Sequence, residues 1–89
     1  MSQPIECTVF VLRFCPYCKR AKKIIEELLQ LEKYQHIQIK YVDEKKEKDF
    51  ANQFDYYLVP SFYHDQQKLH EGAVTKEQVI AIFDQLLAG

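Results

Sequence analysis

No stretch of the chain approaches the roughly 18 consecutive apolar residues that a membrane-spanning helix needs. The N-terminus carries neither a basic region nor a small-residue cleavage site, so no secretory leader is expected. Charge of one sign is missing too. Twelve Lys and Arg against 13 Asp and Glu leave a formal net charge of −1, which gives no general reason to bind nucleic acid or a membrane. Cysteine is scarce, at three residues. In the cytoplasmic setting these absences suggest, three thiols argue against a structural disulfide framework and for chemical use of a pair. At 89 residues the chain forms one domain, 1–89, with no length left for a second. A domain this short buries only about 60–65% of its unfolded surface, so a compact sheet with helices on it is required. Nothing in the sequence demands more than a monomer.

Against that sparse background one stretch stands out: Phe14-Cys15-Pro16-Tyr17-Cys18-Lys19. It lies where an apolar strand, Thr8 to Leu12, hands over to an amphipathic helix. A helix N-terminus offers unpaired N–H groups and about half a positive charge, so it favours an anion placed there. If Cys15 caps the helix and Pro16 takes its first turn, the favoured anion is a thiolate, the nucleophilic form of cysteine. Arg13, Lys19, Arg20, Lys22 and Lys23 add positive potential. Cys18 sits one turn further, near enough to attack a mixed disulfide on Cys15 and further inside the helix. The pair supplies both halves of thiol–disulfide exchange: attack by Cys15, then resolution by Cys18. The alternative is a metal-binding module, zinc or a bridging iron–sulfur cluster, using the same two sulfurs. His36, His64 and His70 are not spaced to complete a zinc site with them, and no metal is expected. A non-catalytic binding domain is a third reading, against which the intact Cys-x-x-Cys stands.

The rest of the chain reads as alternating elements. Pro4 to Phe14 is a first strand, buried on both faces by its run of Val9, Phe10, Val11 and Leu12. Cys7 on that strand reads as a small core residue, with a regulatory thiol as the alternative. A helix from about Pro16 to Lys33 repeats Ala21, Ile24, Ile25 and Leu28 on one face, widened by Leu29 and Leu31. Gln35 to Val42 alternates as a half-buried strand, making a right-handed parallel unit with the first. Asp43 is placed to cap a second helix over Glu44 to Gln53, whose mixed-sign run reads as a solvated face. Asp55 is a residue type that tolerates a left-handed turn. Leu58 to His64 and Lys68 to His70, joined by Asp65-Gln66-Gln67, form a hairpin. Thr75 and Gln78 have the spacing of a capping box opening a last helix with Val79, Ile82, Phe83 and Leu86 on one face. The order is β-α-β-α-β-β-α: an α/β fold with a four-stranded mixed sheet and three helices covering both faces.

Cys-Pro-Tyr-Cys at 15–18, Val59-Pro60 opening a hairpin, then Gly72 and a terminal helix resemble the thioredoxin fold, and specifically glutaredoxin-like proteins. The resemblance covers nearly the whole domain. It implies a glutaredoxin-like thiol–disulfide oxidoreductase, with Cys15 and Cys18 catalytic, serving disulfide reduction, electron transport and cell redox homeostasis. It also implies a cis bond before Pro60, leaving the Val59 backbone free to pair with an incoming peptide or glutathione in the manner of an added strand. Phe14, Pro16, Tyr17, Val59, Pro60 and Gly72 are the implied substrate contacts. Leu12 stands where many glutaredoxins carry a glutathione-binding lysine, and Glu71, just before Gly72, would repel a carboxylate. The stretch after Pro60 looks thioredoxin-like, yet thioredoxins usually have a tryptophan and a buried aspartate where this chain has Phe14 and Val9. Tyr56 and Tyr57 read as packing or rim residues. No bound cofactor is expected. The implied partners are protein or small-molecule disulfides, with glutathione or a flavin-dependent thioredoxin reductase as electron donor.

Overall fold

A computed structural model describes residues 3–89. Strand β1 (Ile5–Val11) lies inside the sheet, which explains its apolar run. Helix α1 (Pro16–Leu28) follows, then β2 (Ile37–Asp43), a short α2 (Lys48–Ala51), β3 (Ser61–His64), β4 (Gln67–Glu71) and α3 (Lys76–Ala88). The sheet order is β2-β1-β3-β4. Strand β1 pairs parallel with β2, Val9 opposite Tyr41, and antiparallel with β3, Val9 opposite Phe62. Both neighbours are therefore in place, and the mixed sheet follows from one parallel crossover and one hairpin. This is the thioredoxin fold.

Because side chains alternate across a strand, β1 feeds two cores. Cys7 and Val9 join Ala21, Ile25 and Leu28 of α1 and Val79, Ile82, Phe83 and Leu86 of α3. Phe10 faces the other way, into Val42, Ala51 and Tyr63. Its ring stacks on Tyr56 with centroids 4.8 Å apart, meets Phe54 at 4.8 Å and Tyr63 edge-on at 5.6 Å. So α1 and α3 cover one face of the sheet, while α2 and an aromatic cluster cover the other. The capping box at Thr75 is present: Gln78 N donates to Thr75 Oγ1 at 3.2 Å and Thr75 N to Gln78 Oε1 at 2.9 Å.

Several boundaries differ from expectation, for local reasons. Strand β1 starts at Ile5 and stops at Val11, because Leu12 to Phe14 turn the chain into α1. Helix α1 ends at Leu28, short of Lys33: Leu31 takes an extended conformation, and Glu32–Tyr34 form a separate 3-10 turn. That turn drives Tyr34 into the core, where its hydroxyl donates to Asp84 at 2.7 Å and its ring meets Phe83 edge-on. Leu31 is left exposed, so it does not widen the helix's apolar stripe. Strand β2 runs to Asp43; Gln38 and Lys40 are exposed as a half-buried strand requires, while Val42 at its end is buried on the second face. Asp43 does not cap a helix beginning at Glu44. Its Oδ1 accepts from Lys45 N and Lys46 N at 2.9 and 3.3 Å, which closes a turn and delays α2 to Lys48. Strand β3 begins at Ser61, directly after Pro60. The left-handed residue is Asp65 (φ 53°), in the hairpin turn, not Asp55.

Candidate active site

The end of β1 aims the chain at the first turn of α1, and that turn is built around Cys15. Cys15 is the N-cap, extended at φ −85° and ψ 116°, with Pro16 at the first helical position. Its sulfur accepts the Cys18 backbone N–H at 3.4 Å, while its own N–H is held by Leu12 O at 3.3 Å. One donor that the helix cannot satisfy internally thus points at Cys15 Sγ. The first turn contains no acidic side chain to oppose an anion there.

The two thiols have different surroundings. Cys15 is half-buried and Cys18 is buried, and both are free. Burial pushes the Cys18 thiol up to about 12; a Leu12 backbone contact partly opposes this, and Cys15 and the Glu44 carboxylate add to it. A proton held that firmly keeps Cys18 neutral near pH 7, while Cys15 is the more accessible of the two sulfurs. Cys7 is fully buried in the first core and is likewise pushed up to about 12 by desolvation. It is a packing residue, as the strand pattern suggested.

Around Cys15 the structure gathers some of the anticipated contacts and separates others. Phe14 is 80% exposed and Tyr17 51% exposed, flanking the thiol with open aromatic faces. Arg13 and Arg20 stand over those rings at 5.2 and 5.9 Å. Phe14 and Cys15 share an open recess of about 470 Å³ with Leu12, Arg13, Asp43, Lys45 and Lys46. Val59, Pro60, Tyr17 and Gly72 do not line it. The Val59–Pro60 bond is cis. Val59 packs against the aromatic cluster under Phe10, and Pro60 is buried. Gly72 has φ +95°, a conformation glycine supplies without steric cost. Its N–H donates to Pro60 O at 2.8 Å, and an added Cβ would come within 3.4 Å of Leu58 Cδ1.

Glu71 does something its position in the sequence did not reveal. One carboxylate oxygen accepts from Tyr57 N and Leu58 N at 2.7 and 2.9 Å, and the other from Lys68 Nζ at 2.7 Å. Its charge is thus directed at internal donors in place of an arriving ligand. Lys68 is three residues away, but the Tyr57 and Leu58 amides lie 14 and 13 residues away in sequence, beyond the reach of any local pattern. Glu71 anchors the segment that leads into Val59-Pro60. The Lys68 ammonium and the two amides hold its carboxyl down to about 2. A carboxyl depressed below its unfolded value of about 4.3 contributes stability that is complete above that value. The contribution is lost as pH falls through the window towards about 2. Glu71→Ala should lower hydrogen-exchange protection of the Tyr57 and Leu58 amides by roughly tenfold at neutral pH. Unchanged protection would show that the anchor does not form in solution.

The histidines are occupied or solvated. His64 Nδ1 lies 3.0 Å from Glu6 O, His70 Nε2 lies 3.1 Å from Ala73 O, and His36 is exposed. Among the described residues no three His, Cys, Asp or Glu side chains converge on a common point. Nor is any helix among them long and apolar enough to cross a membrane.

Comparison with known proteins bears on the family and the fold. Residues 9–76 match the family model described as glutathione S-transferase, N-terminal domain. Among solved structures, a malarial protein superimposes with a TM-score of 0.74 at 19% identity, covering 96% of this chain and 99% of its own. The germline-specific thioredoxin Deadhead of Drosophila melanogaster gives 0.72 at 16% identity, covering 96% and 83%. A thioredoxin-like protein from Clostridium perfringens gives 0.69 at 21% identity, covering 96% and 73%. At these identities the structural matches speak for the fold. No curated protein sequence matches the chain.

Proposed function

The chain belongs to the glutathione S-transferase N-terminal domain family, and with that as premise we propose that it is a glutaredoxin-like thiol–disulfide oxidoreductase. The observation that carries the proposal is the placement of Cys15 Sγ at the N-cap of α1, accepting the Cys18 N–H, with the second thiol buried behind it. Cys15 attacks one sulfur of a substrate disulfide as thiolate. A Cys15–substrate S–S bond forms, and the other substrate sulfur leaves as thiolate and takes up a proton. Cys18 then gives up its proton and attacks Cys15 Sγ. The Cys15–Cys18 bond forms, the mixed disulfide breaks, and the second substrate sulfur leaves reduced. Two electrons have passed from the protein to the substrate, and an external reductant must return them.

Substrates in this reading are protein or small-molecule disulfides in the cytoplasm. Phe14, Tyr17 and the Val59 backbone guide them, with Pro16, Pro60 and Gly72 shaping the surface. Glutathione, which the family's name carries, is one proposed donor, and a flavin-dependent thioredoxin reductase is the other. The oxidised protein, offered each donor separately with NADPH recycling, should be reduced rapidly by at least one. Fast reduction by glutathione would show that Leu12 and Glu71 do not prevent its use. Reduction by the flavoenzyme alone would group the protein functionally with thioredoxins. No reduction by either would contradict the donor assignment.

A further inference from the structure

We propose that the surface running from Cys15 across the β2–α2 turn is a groove for an extended, acidic polypeptide segment flanking the disulfide to be exchanged. This rests on the redox reading above and names its substrate class. Two open recesses lie side by side there. The first, of about 470 Å³, holds Cys15 and the exposed Phe14. The second, of about 530 Å³, holds Tyr56 and Tyr57. Lys45 lines both, so the two recesses lie on either side of its side chain, each with aromatic groups in its wall.

Charge selects the occupant. Arg13, Lys45 and Lys46 line the first recess and Lys45 and Lys48 the second. The acidic groups lining them are Asp43 and Glu44, and both are engaged. Asp43 Oδ1 accepts two backbone amides, and Glu44 Oε2 accepts the Tyr56 hydroxyl at 2.6 Å. Glu47 and Asp49 lie on the same segment but line neither recess. Hydrogen bonding leaves both carboxylates charged, but four basic side chains against these two keep the lining net positive on a chain whose formal net charge is −1. Such contrast steers and orients a partner of opposite sign. A polyanion without sulfur would meet the same charges. The thiol at one end, however, has work to do only on a disulfide, which favours a polypeptide over a nucleic acid.

The test uses binding first, so that it does not depend on redox chemistry. Two fluorescent peptides of equal length carry a central serine flanked by glutamates in one and lysines in the other. The acidic peptide should bind on the order of tenfold more tightly at low ionic strength, and the difference should collapse in high salt. K45E/K46E/K48E should reverse the order, and K45Q/K46Q/K48Q should abolish the preference without adding negative charge. All three lysines are exposed, and the Asp43 turn uses only backbone amides, so both variants keep the fold. Three results would overturn the groove: equal binding of the two peptides, a preference that survives the triple reversal, or tighter binding of a single-stranded oligonucleotide of matched charge. Exchange is then measured with the same peptides carrying a mixed disulfide in place of serine. A charge preference without exchange would overturn the redox reading and leave an acidic-peptide site.

Discussion

Cys15→Ser should abolish disulfide reduction, lowering turnover by at least on the order of 10³-fold. Serine keeps the N-cap, since its hydroxyl can accept the Cys18 N–H as the sulfur does. The fold and thermal stability should therefore be almost unchanged while chemistry is lost. That separation is what makes the variant informative: a stable protein with normal turnover would show that another sulfur does the work. Cys7, the third thiol, is fully buried and pushed up to about 12, so it offers no substitute nucleophile. Turnover of a peptide disulfide, measured beside a thermal melt, decides the matter.

Cys18→Ser should have a different profile. Attack by Cys15 remains, but the mixed disulfide can be released only by an external thiol. Turnover of protein disulfides should fall on the order of 10²-fold or more, because an intramolecular attacker has been replaced by a bimolecular one. Removal of glutathione from glutathionylated substrates, which needs one thiol only, should persist. In the unmodified protein the resolving step carries a pH signature. Burial holds the Cys18 thiol up to about 12, above the unfolded value of about 8.5. Neutral Cys18 is thus favoured by the fold, and its thiolate fraction rises about tenfold per pH unit through the neutral range. Single-turnover resolution should accelerate accordingly between about pH 6 and pH 8. A flat profile would mean that resolution is not limited by loss of the Cys18 proton. Equal loss of both reaction types in Cys18→Ser would remove the division of labour between the two sulfurs.

Much of this site is legible in the sequence, because it depends on short-range chemistry. The strand–Cys-x-x-Cys–helix order places Cys15 at a cap, and a proline after it can only reinforce the first turn. The β-α-β-α-β-β-α order followed from periodicity, since the buried stripes of β1, α1 and α3 are long and clear. What escaped depends on distant partners or on a choice between two local arrangements. Glu71 looked like a charge facing a ligand and is instead satisfied by Tyr57, Leu58 and Lys68. The mixed-sign run after Asp43 is solvated, as its pattern suggested, but only its end is helical. Asp43 commits its carboxylate to a turn, Lys45 and Lys46 come to line the recess that also holds Cys15, and α2 shrinks to a single turn. Helix α1 lost its last residues because burying Tyr34 against Phe83 and Asp84 outweighs continuing a helix over exposed Leu31. For Glu71 and Tyr34 a tertiary contact overrode a local preference, whereas at Asp43 one local arrangement, a turn, displaced another, a helix cap.

The central claim is that Cys15 attacks first and Cys18 second. The most direct measurement mixes reduced protein rapidly with a peptide disulfide, quenches with acid at successive times and maps every sulfur by mass spectrometry. Early samples should carry the peptide on Cys15 alone. Later ones should lose it in favour of a Cys15–Cys18 disulfide, with Cys7 reduced throughout. Peptide first found on Cys18 or Cys7, or a Cys15 adduct that never gives way to the internal disulfide, would contradict it.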